Sequence, residues 1–336
     1  MEGTITDPPV LVGDMMIAYG GNLRRKNASF IVQMVQNGKH QSKTFNSNLV
    51  PDALATAIKW KHDQSDAMNQ TRRWSASYID QGLMISDEVH QYIAGFFDGD
   101  GSISCTSETL QIKFHQSQND GVPPVLVFIQ KHYGGMLQAR VRKYRLQSRV
   151  EHTLLIRASN NYAVAGFLVK FASLKYLHAQ MALEWNGAAG NVVSKKQISE
   201  RLKIAHTQDK YHLVEIDQAR LTDSYLAGLF DADGSIGAYT HDLSVTFAQK
   251  SSTLLLECIQ NVFQVVSCID DYRLTFSSRS SIVAVLTRML PHLVMKKRQG
   301  ELMLQLVRHT LVHRKRKLEN TETLGLIQEI KRLKRL

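Results

Sequence analysis

Residues 92–103 read YIAGFFDGDGSI, and residues 225–236 read YLAGLFDADGSI. Nine of these twelve positions are identical, so the chain contains the same motif twice. Each copy is an apolar run with small residues, followed by two aspartates and a glycine. An internal repeat of this kind predicts a fold built from two related halves.

The sequence after each motif also repeats. Residues 110–114 and 243–247 alternate apolar and polar side chains, which is the period of a half-buried strand. Each strand leads to a glutamine, Gln116 or Gln249, sixteen residues beyond the second aspartate of its motif. Both copies continue with an apolar stretch suited to a helix, then a basic strand region near 136–157 or 269–279, then a last helix near 160–186 or 281–312. This order predicts an α+β fold of two tandem αββαββα units.

The motifs themselves are predicted to be helices that pack against each other in a central two-helix interface. Small residues recur one turn apart, as Gly95 and Gly99 in the first copy and as Gly228 and Ala232 in the second. Such spacing lets two helix backbones approach closely.

The ends of the motif helices also carry signals. Ser86 and Asp87 are candidate N-terminal caps of the first helix, and Thr222 and Asp223 of the second, because their side-chain oxygens can accept a free backbone N–H. Gly101 and Gly234 come after the second aspartates, where the sequence predicts the left-handed conformation that ends many helices.

Side-by-side packing would bring together the C-terminal ends of the two helices, and with them Asp98, Asp100, Asp231 and Asp233. Carboxylates held close together repel each other. A hard divalent cation such as Mg²⁺, which prefers oxygen ligands, relieves that repulsion. Carboxylates, Mg²⁺ and a basic chain together indicate metal-assisted hydrolysis of a phosphodiester.

Composition bounds the class of protein. The 336 residues suffice for two or three domains. Lys and Arg number 41 against 30 Asp and Glu, a net charge of +11, which favours a polyanionic partner such as nucleic acid. No apolar run approaches the roughly 20 residues of a membrane span, so no membrane partner is expected.

The cellular compartment is only partly constrained by the sequence. Three cysteines without CxxC spacing argue against a disulfide framework or a zinc module and favour a reducing compartment. The N-terminus has no clear targeting peptide, which leaves a nuclear protein and an organelle-encoded protein both open.

The region before the first motif differs in kind from the two halves. Residues 29–34 and 39–45 are predicted strands joined at the Asn37-Gly38 turn, and residues 51–65 are a predicted helix. The predicted organisation is a small N-terminal module at 1–70, a linker at 71–87, a first half at 88–187, a linker at 188–221, a second half at 222–312 and a basic C-terminal helix at 313–336.

The two motifs resemble those of the LAGLIDADG homing endonucleases, in the single-chain class that carries the motif twice. The resemblance covers about 88–312. It implies a pseudo-twofold monomer with two saddle-shaped antiparallel sheets, which makes a metal-dependent double-strand break in a long asymmetric DNA target. In that family this nuclease activity supports intron mobility.

The resemblance also implies roles for residues at matching positions. Asp100 and Asp233 would bind the metal, assisted by the backbone carbonyls of Gly99 and Ala232. The expected cofactor is Mg²⁺, for which Ca²⁺ or Mn²⁺ could substitute. Asp98 and Asp231 would cap the partner helix.

Two further pairs complete the implied catalytic set. Gln116 and Gln249, at the strand ends, would order water near the metal. Lys175 and Lys296 would be the basic residues before the last helix of each copy. The residues after Lys175 differ from those after Lys296: Tyr176 follows Lys175, whereas another lysine follows Lys296.

In the resembling family the sheets track the major groove of DNA, and basic and amide side chains suit readout of bases and contact with phosphate. The candidates in the two halves are Lys113, His115, Gln138, Arg140, Arg142, Arg145, Arg157, Lys250, Arg273 and Arg279. The N-terminal module faintly resembles the ethylene-response-factor and integrase type of DNA-binding domain, with Arg25 and Lys39 among its candidate contacts.

Two alternatives of other classes remain open from the sequence. An RNA-binding intron maturase or RNA-processing factor could use the same scaffold, with intron RNA as its partner. A non-cleaving DNA-binding protein would also fit the basic chain and the N-terminal module.

Overall fold

The computed structural model describes residues 10–12, 15–20, 28–36, 39–47, 71–76, 85–119, 121–144, 147–188, 190–207, 215–239, 242–312 and 321–333. Before residue 85 only the backbone is described. The chain divides into two compact units: one comprises residues 1–82 and 113–157, and the other comprises residues 83–112 and 158–336.

The N-terminal region of the first unit is a four-stranded antiparallel sheet with the order β1-β2-β3-β4. Within it, Gln36 pairs with Lys39, so the strands predicted at 29–34 and 39–45 are antiparallel neighbours. The predicted turn at 37–38 lies outside the described residues. The predicted helix at 51–65 lies outside the described residues. The strands are β1 (Val10–Val12), β2 (Met15–Gly20), β3 (Ala28–Gln36) and β4 (Lys39–Ser47).

The first motif lies in a regular series of helices and strands. The series consists of β5 (Thr71–Ala76), α1 (Asp87–Asp100), β6 (Gly101–Cys105), β7 (Leu110–Ser117), α2 (Pro124–Tyr133), β8 (Gly135–Tyr144), β9 (Gln147–Leu155), α3 (Asn161–Phe171), α4 (Tyr176–Gly187) and α5 (Val192–Thr207).

The second motif opens the same series again. Its elements are α6 (Asp223–Asp233), β10 (Gly234–Ala238), β11 (Leu243–Ala248), α7 (Thr253–Phe263), β12 (Cys268–Asp270), β13 (Arg273–Phe276), α8 (Arg279–Met289), α9 (Lys297–Val312) and α10 (Thr321–Leu333). The predicted α+β class and the tandem αββαββα order are confirmed.

Two features depart from the sequence prediction. The single last helix predicted in each copy is two helices, α3 and α4 or α8 and α9, and the breaks between them carry Lys175 and Lys296. The segment predicted as a linker at 71–87 contains β5, which pairs with β8 along Thr71–Ala76. By contrast, the basic segment at 313–336 that was predicted as a C-terminal helix does contain a helix, α10.

The larger sheet of the first unit has one buried and one accessible face. β5 pairs with β8, β8 with β9 and β9 with β7, all antiparallel. Phe114, Leu137 and Leu154 are fully buried on one face. Lys113 and His115 alternate with them and remain partly accessible. The alternation predicted from the sequence is therefore confirmed in β7.

The second unit has its core around the two motif helices. Phe96 and Phe97 of α1 and Leu226 and Phe230 of α6 are completely buried. The sheet with the order β10-β11-β13-β12 contributes buried apolar side chains to this core. Its aromatic cluster includes Phe247, whose ring centroid lies 5.1 Å from that of Phe230. No helix in the described part of the chain is long and apolar enough to cross a membrane.

Candidate functional site

The two motif helices touch backbone to backbone at a pair of glycines. A Cβ atom on Gly95 would lie 1.9 Å from the carbonyl oxygen of Tyr225, and one on Gly228 would lie 1.9 Å from that of Tyr92. Real Cβ contacts do not come so close, so only glycine fits at either position. The predicted close approach of α1 and α6 is confirmed, and it fixes the relative position of the helix ends.

Each motif helix begins at one of its two predicted cap candidates, with Asp87 or Asp223 in the first turn, but the helix ends differ from the prediction. Ser86 and Thr222 cap the two helices through their hydroxyls. Gly101 and Gly234 are extended, with φ of −94° and −85°, so the predicted left-handed conformation is wrong. Glycine is needed at these positions because there is no room for a side chain. A Cβ on Gly101 would lie 2.0 Å from the ring of Phe97, and one on Gly234 would lie 2.2 Å from the ring of Phe230.

The first aspartate of each motif is a helix cap within its own copy. Asp98 accepts backbone N–H bonds from residues 173–175 at 2.6 to 3.0 Å, at the start of α4. Asp231 accepts the equivalent bonds from residues 294–296 at 2.7 to 2.9 Å, before α9. The expectation that these aspartates cap the partner helix is therefore wrong. A carboxylate suits this place because the N-terminus of a helix presents free N–H groups and partial positive charge.

Each of these carboxylates also receives a hydrogen bond from the other copy. The hydroxyl of Tyr92 donates to Asp231 and the hydroxyl of Tyr225 donates to Asp98, each over 2.7 Å. These tyrosines were missed in the sequence. Their signal was the tyrosine at the first position of both quoted motifs, which is equally typical of an ordinary buried aromatic residue.

The two lysines lie at the C-terminal ends of the motif helices. The ammonium group of Lys175 donates to the carbonyls of Phe97, Gly99 and Gly101 at 2.8 to 3.1 Å. That of Lys296 donates to the carbonyls of Phe230 and Asp231. A helix leaves its last carbonyls without helical partners and carries partial negative charge there, which a cation stabilises.

The second aspartates of the motifs and Lys175 form one electrostatic group. Burial lowers the pKa of Lys175, and the carboxylates of Asp98, Asp100 and Asp233 oppose that effect. Burial raises the pKa of Asp233, and the charges of Lys175 and Lys296 oppose it. Carboxylates contributed by both copies therefore influence the same ammonium group electrostatically.

The oxygen atoms at this point fit a hard divalent cation. Ala232 and Asp233 of the other motif fill the space at Gly99, since a Cβ on Gly99 would lie 2.4 Å from the Ala232 Cβ and 3.0 Å from Asp233 Oδ2. Asp100 and Asp233 with nearby backbone carbonyls supply the donors that Mg²⁺ prefers. Within the described residues, no three His, Cys, Asp or Glu side chains form a metal-binding group. Phosphate and water oxygens would have to complete the coordination.

The two glutamines end equivalent strands but differ in accessibility. Gln249 is buried, and its side-chain oxygen accepts the backbone N–H of Ser251 at 3.0 Å. Because Gly234 pairs with Phe247, the register carries Gln249 towards the end of α6. Gln116 is partly accessible, and its side-chain oxygen accepts the N–H of Ser117 at 2.9 Å.

The accessible face of the first unit's sheet brings four predicted DNA contacts onto neighbouring strands. His115 and Gln138 both pair with Thr153, and the ring of His115 lies 3.1 Å from the Thr153 hydroxyl. Arg140 pairs with Glu151. Lys113 precedes His115 by two residues and shares its face. The face is therefore basic and polar over three adjacent strands.

The second unit's sheet presents a different surface. Arg273 and Lys250 are exposed and flank the ring of Tyr272, at 5.3 and 5.2 Å from its centroid. Thr246 and Thr275 lie opposite each other on the accessible face, joined by a 3.2 Å hydrogen bond. These hydroxyl residues were missed in the sequence, where only the alternation in 243–248 points to them.

Other predicted contacts lie elsewhere in the fold or outside the described residues. Arg279 is the exposed first residue of α8, and Arg157 is exposed after β9. The side chains of Arg142 in β8 and Lys39 in β4 are not among those described, and Arg145 and Arg25 lie outside the described residues.

Comparisons with known proteins give limited matches. No protein-family model and no curated protein matches the chain. Two solved structures of the homing endonuclease I-CvuI align with 34% of this chain and 82% of theirs, at 24% identity. One is a complex with the I-CreI target in the presence of Mg, with the DNA not cleaved, and has a TM-score of 0.29. The other is a complex with its own target in the presence of Ca, with a TM-score of 0.28. Similarity at this level carries no argument, so function is inferred from the chain's own residues.

Proposed function

We propose that the protein is a site-specific DNA endonuclease of the LAGLIDADG homing type, which makes a metal-dependent double-strand break. The observation that carries the proposal is the meeting of the two motif ends. The Asp233 carboxylate of the second copy lies against Gly99, next to Asp100 of the first copy, and the Lys175 ammonium group donates to the carbonyls of Gly99 and Gly101 on either side of Asp100. Two copies of one catalytic element at a shared interface suit a reaction that cuts two strands.

In this proposal Asp100 and Asp233 hold the divalent cation, with the carbonyls of Gly99 and Ala232 as further oxygen donors. The bound cation would stabilise negative charge on the scissile phosphate and activate water as the nucleophile. Lys175 and Lys296 would add positive charge where the phosphate charge increases. Gln116 and Gln249 would orient water through their side-chain amides.

DNA recognition would use the two sheets separately. In the first unit, Lys113, His115, Gln138 and Arg140 combine positive charge with amide and imidazole groups that can read base edges. In the second unit, Arg273 and Lys250 stand beside threonine hydroxyls. Because these two faces carry different side chains, the proposal includes a long target whose half-sites differ in sequence.

The test is incubation of the purified protein with a randomised double-stranded DNA library, with Mg²⁺ or with a chelator, and then sequencing of the cut ends. Cuts at one long asymmetric sequence only with Mg²⁺ would support the proposal. Specific binding without cuts would favour a DNA-binding protein. Retention of structured RNA, with neither DNA binding nor cuts, would favour an intron maturase.

A further inference from the structure

Each motif helix carries a buried tyrosine whose hydroxyl acts on the opposite copy. Tyr92 is 3% exposed and Tyr225 is fully buried. Tyr92 of α1 donates to Asp231, and Tyr225 of α6 donates to Asp98. The two hydrogen bonds are thus crossed between the copies.

The oxygen that receives each tyrosine also holds a backbone turn. Asp98 Oδ2 accepts from Tyr225 and from the N–H groups of Ser173 and Leu174. Asp231 Oδ2 accepts from Tyr92 and from the equivalent N–H groups at 294 and 295. We name these two turns, residues 172–175 and 290–296, the first and the second lysine turn.

Each lysine turn is also hydrogen-bonded to the C-terminal end of the motif helix in its own copy. Lys175 donates its backbone N–H to Asp98 and its ammonium group to three carbonyls at the end of α1. Lys296 makes the equivalent backbone bond to Asp231. A tyrosine of one copy is therefore linked through one carboxylate to the lysine and motif end of the other copy.

We propose that Tyr92 and Tyr225 are crossed positioning residues: Tyr92 holds the second lysine turn, and Tyr225 holds the first. The proposal concerns the same site as the proposed nuclease, and only its kinetic consequence rests on that function. Through these bonds the geometry of each half of the site depends on the motif helix of the other half.

Replacing either tyrosine by phenylalanine isolates the hydrogen bond from the packing. The ring stays in place, and only the hydroxyl that donates to a buried carboxylate is lost. Hydrogen bonds to charged groups are among the stronger ones in proteins. The carboxylate keeps its backbone donors, so the lysine turn should still form. We expect the fraction of time that the turn is open to rise by roughly tenfold.

The direct test is hydrogen exchange on the full chain without metal or DNA. Tyr92→Phe should speed exchange about tenfold at the amides of 294–296 and leave those of 173–175 unchanged. Tyr225→Phe should give the reverse pattern. Tyr239→Phe, at a residue that is 53% exposed, is the matched control and should change neither turn. Faster exchange in the variant's own copy, equal change in both turns, or no change would overturn the proposal.

A second readout separates positioning from simple loss of stability. If the wild type cuts DNA, the two variants should slow opposite strands in a strand-resolved nicking assay, with DNA affinity unchanged. A purely structural role would lower stability in both variants and slow both strands alike, which would count against the proposal. If the wild type cuts no DNA, the nuclease proposal fails, while the exchange experiment still decides the role of the tyrosines.

Discussion

Replacing Gly95 by alanine should disrupt the two-helix interface on which the site is built. The new Cβ would lie 1.9 Å from the Tyr225 carbonyl oxygen and 2.9 Å from the Leu229 nitrogen. Both are backbone atoms of a buried helix, so no side chain can rotate away. Restoring an ordinary contact requires the two helices to separate by roughly 1.5 Å, and a gap of that size removes a large part of the dispersion energy of the atoms that line it.

We expect a loss of about 3 kcal/mol in the free energy of unfolding, at the upper end of the range for overpacked cores. Urea denaturation monitored by far-ultraviolet circular dichroism measures it. The matched control is Gly166→Ala in α3, where an added Cβ meets nothing within 4 Å. That change should stabilise the protein by up to about 1 kcal/mol, because alanine favours helix. If Gly95→Ala had the same free energy of unfolding as Gly166→Ala, the close approach of the two backbones would be refuted.

Three other predictions concern the charged residues of the site and of the first unit's sheet. Since burial raises the pKa of Asp233 in the folded chain, its charged form opposes folding above the unfolded value of about 3.9. Asp233→Asn should therefore melt higher than the wild type at pH 7 without divalent ions, and the gain should vanish near pH 4. An equal gain at both pH values would contradict this. Lys175→Met removes three hydrogen bonds to carbonyls and should lower the free energy of unfolding by about 2 kcal/mol, measured by urea denaturation. The control Lys196→Met, at an exposed lysine, should lower it by almost nothing. Equal losses of stability in the two variants would show that the bonds from the Lys175 ammonium group to the end of α1 contribute nothing. Lys113→Ala and Arg140→Ala should each reduce the slope of log affinity for DNA against log salt by about 0.9, and an unchanged slope would exclude a phosphate contact.

The architecture was accessible from sequence because the motif occurs twice. Equal offsets in the two copies fixed the order of helices and strands, and the small residues at 95 and 228 pointed to a close helix contact. These are local patterns with a known period, so each copy supports the interpretation of the other.

Other features depend on partners far apart in the chain. Asp98 caps a turn more than seventy residues later, and no local pattern connects the two. The break between α3 and α4 lies inside a stretch that is apolar on both sides, so the sequence predicted one helix. β5 lies in the segment predicted as a linker, and it pairs with β8 about sixty residues later, a partner that no local pattern reveals.

Gly101 illustrates a different limit. Glycine after a helix usually indicates a left-handed residue, yet here the backbone is extended and the ring of Phe97 occupies the space of a side chain. The residue type was informative, but the reason for it was steric and tertiary. Likewise, the repeated tyrosine was visible in both motifs, and only the structure reveals that its hydroxyl bonds to the opposite copy.

The most direct test of the central claim compares Asp100→Asn and Asp233→Asn on a DNA target recovered from the library. The matched control is Asp242→Asn, at an exposed aspartate immediately before β11. We predict that either motif variant abolishes Mg²⁺-dependent double-strand cleavage while binding the target as the wild type does, and that the control cuts normally. Full double-strand cleavage by either motif variant would contradict the assignment of this carboxylate pair as the metal-binding centre.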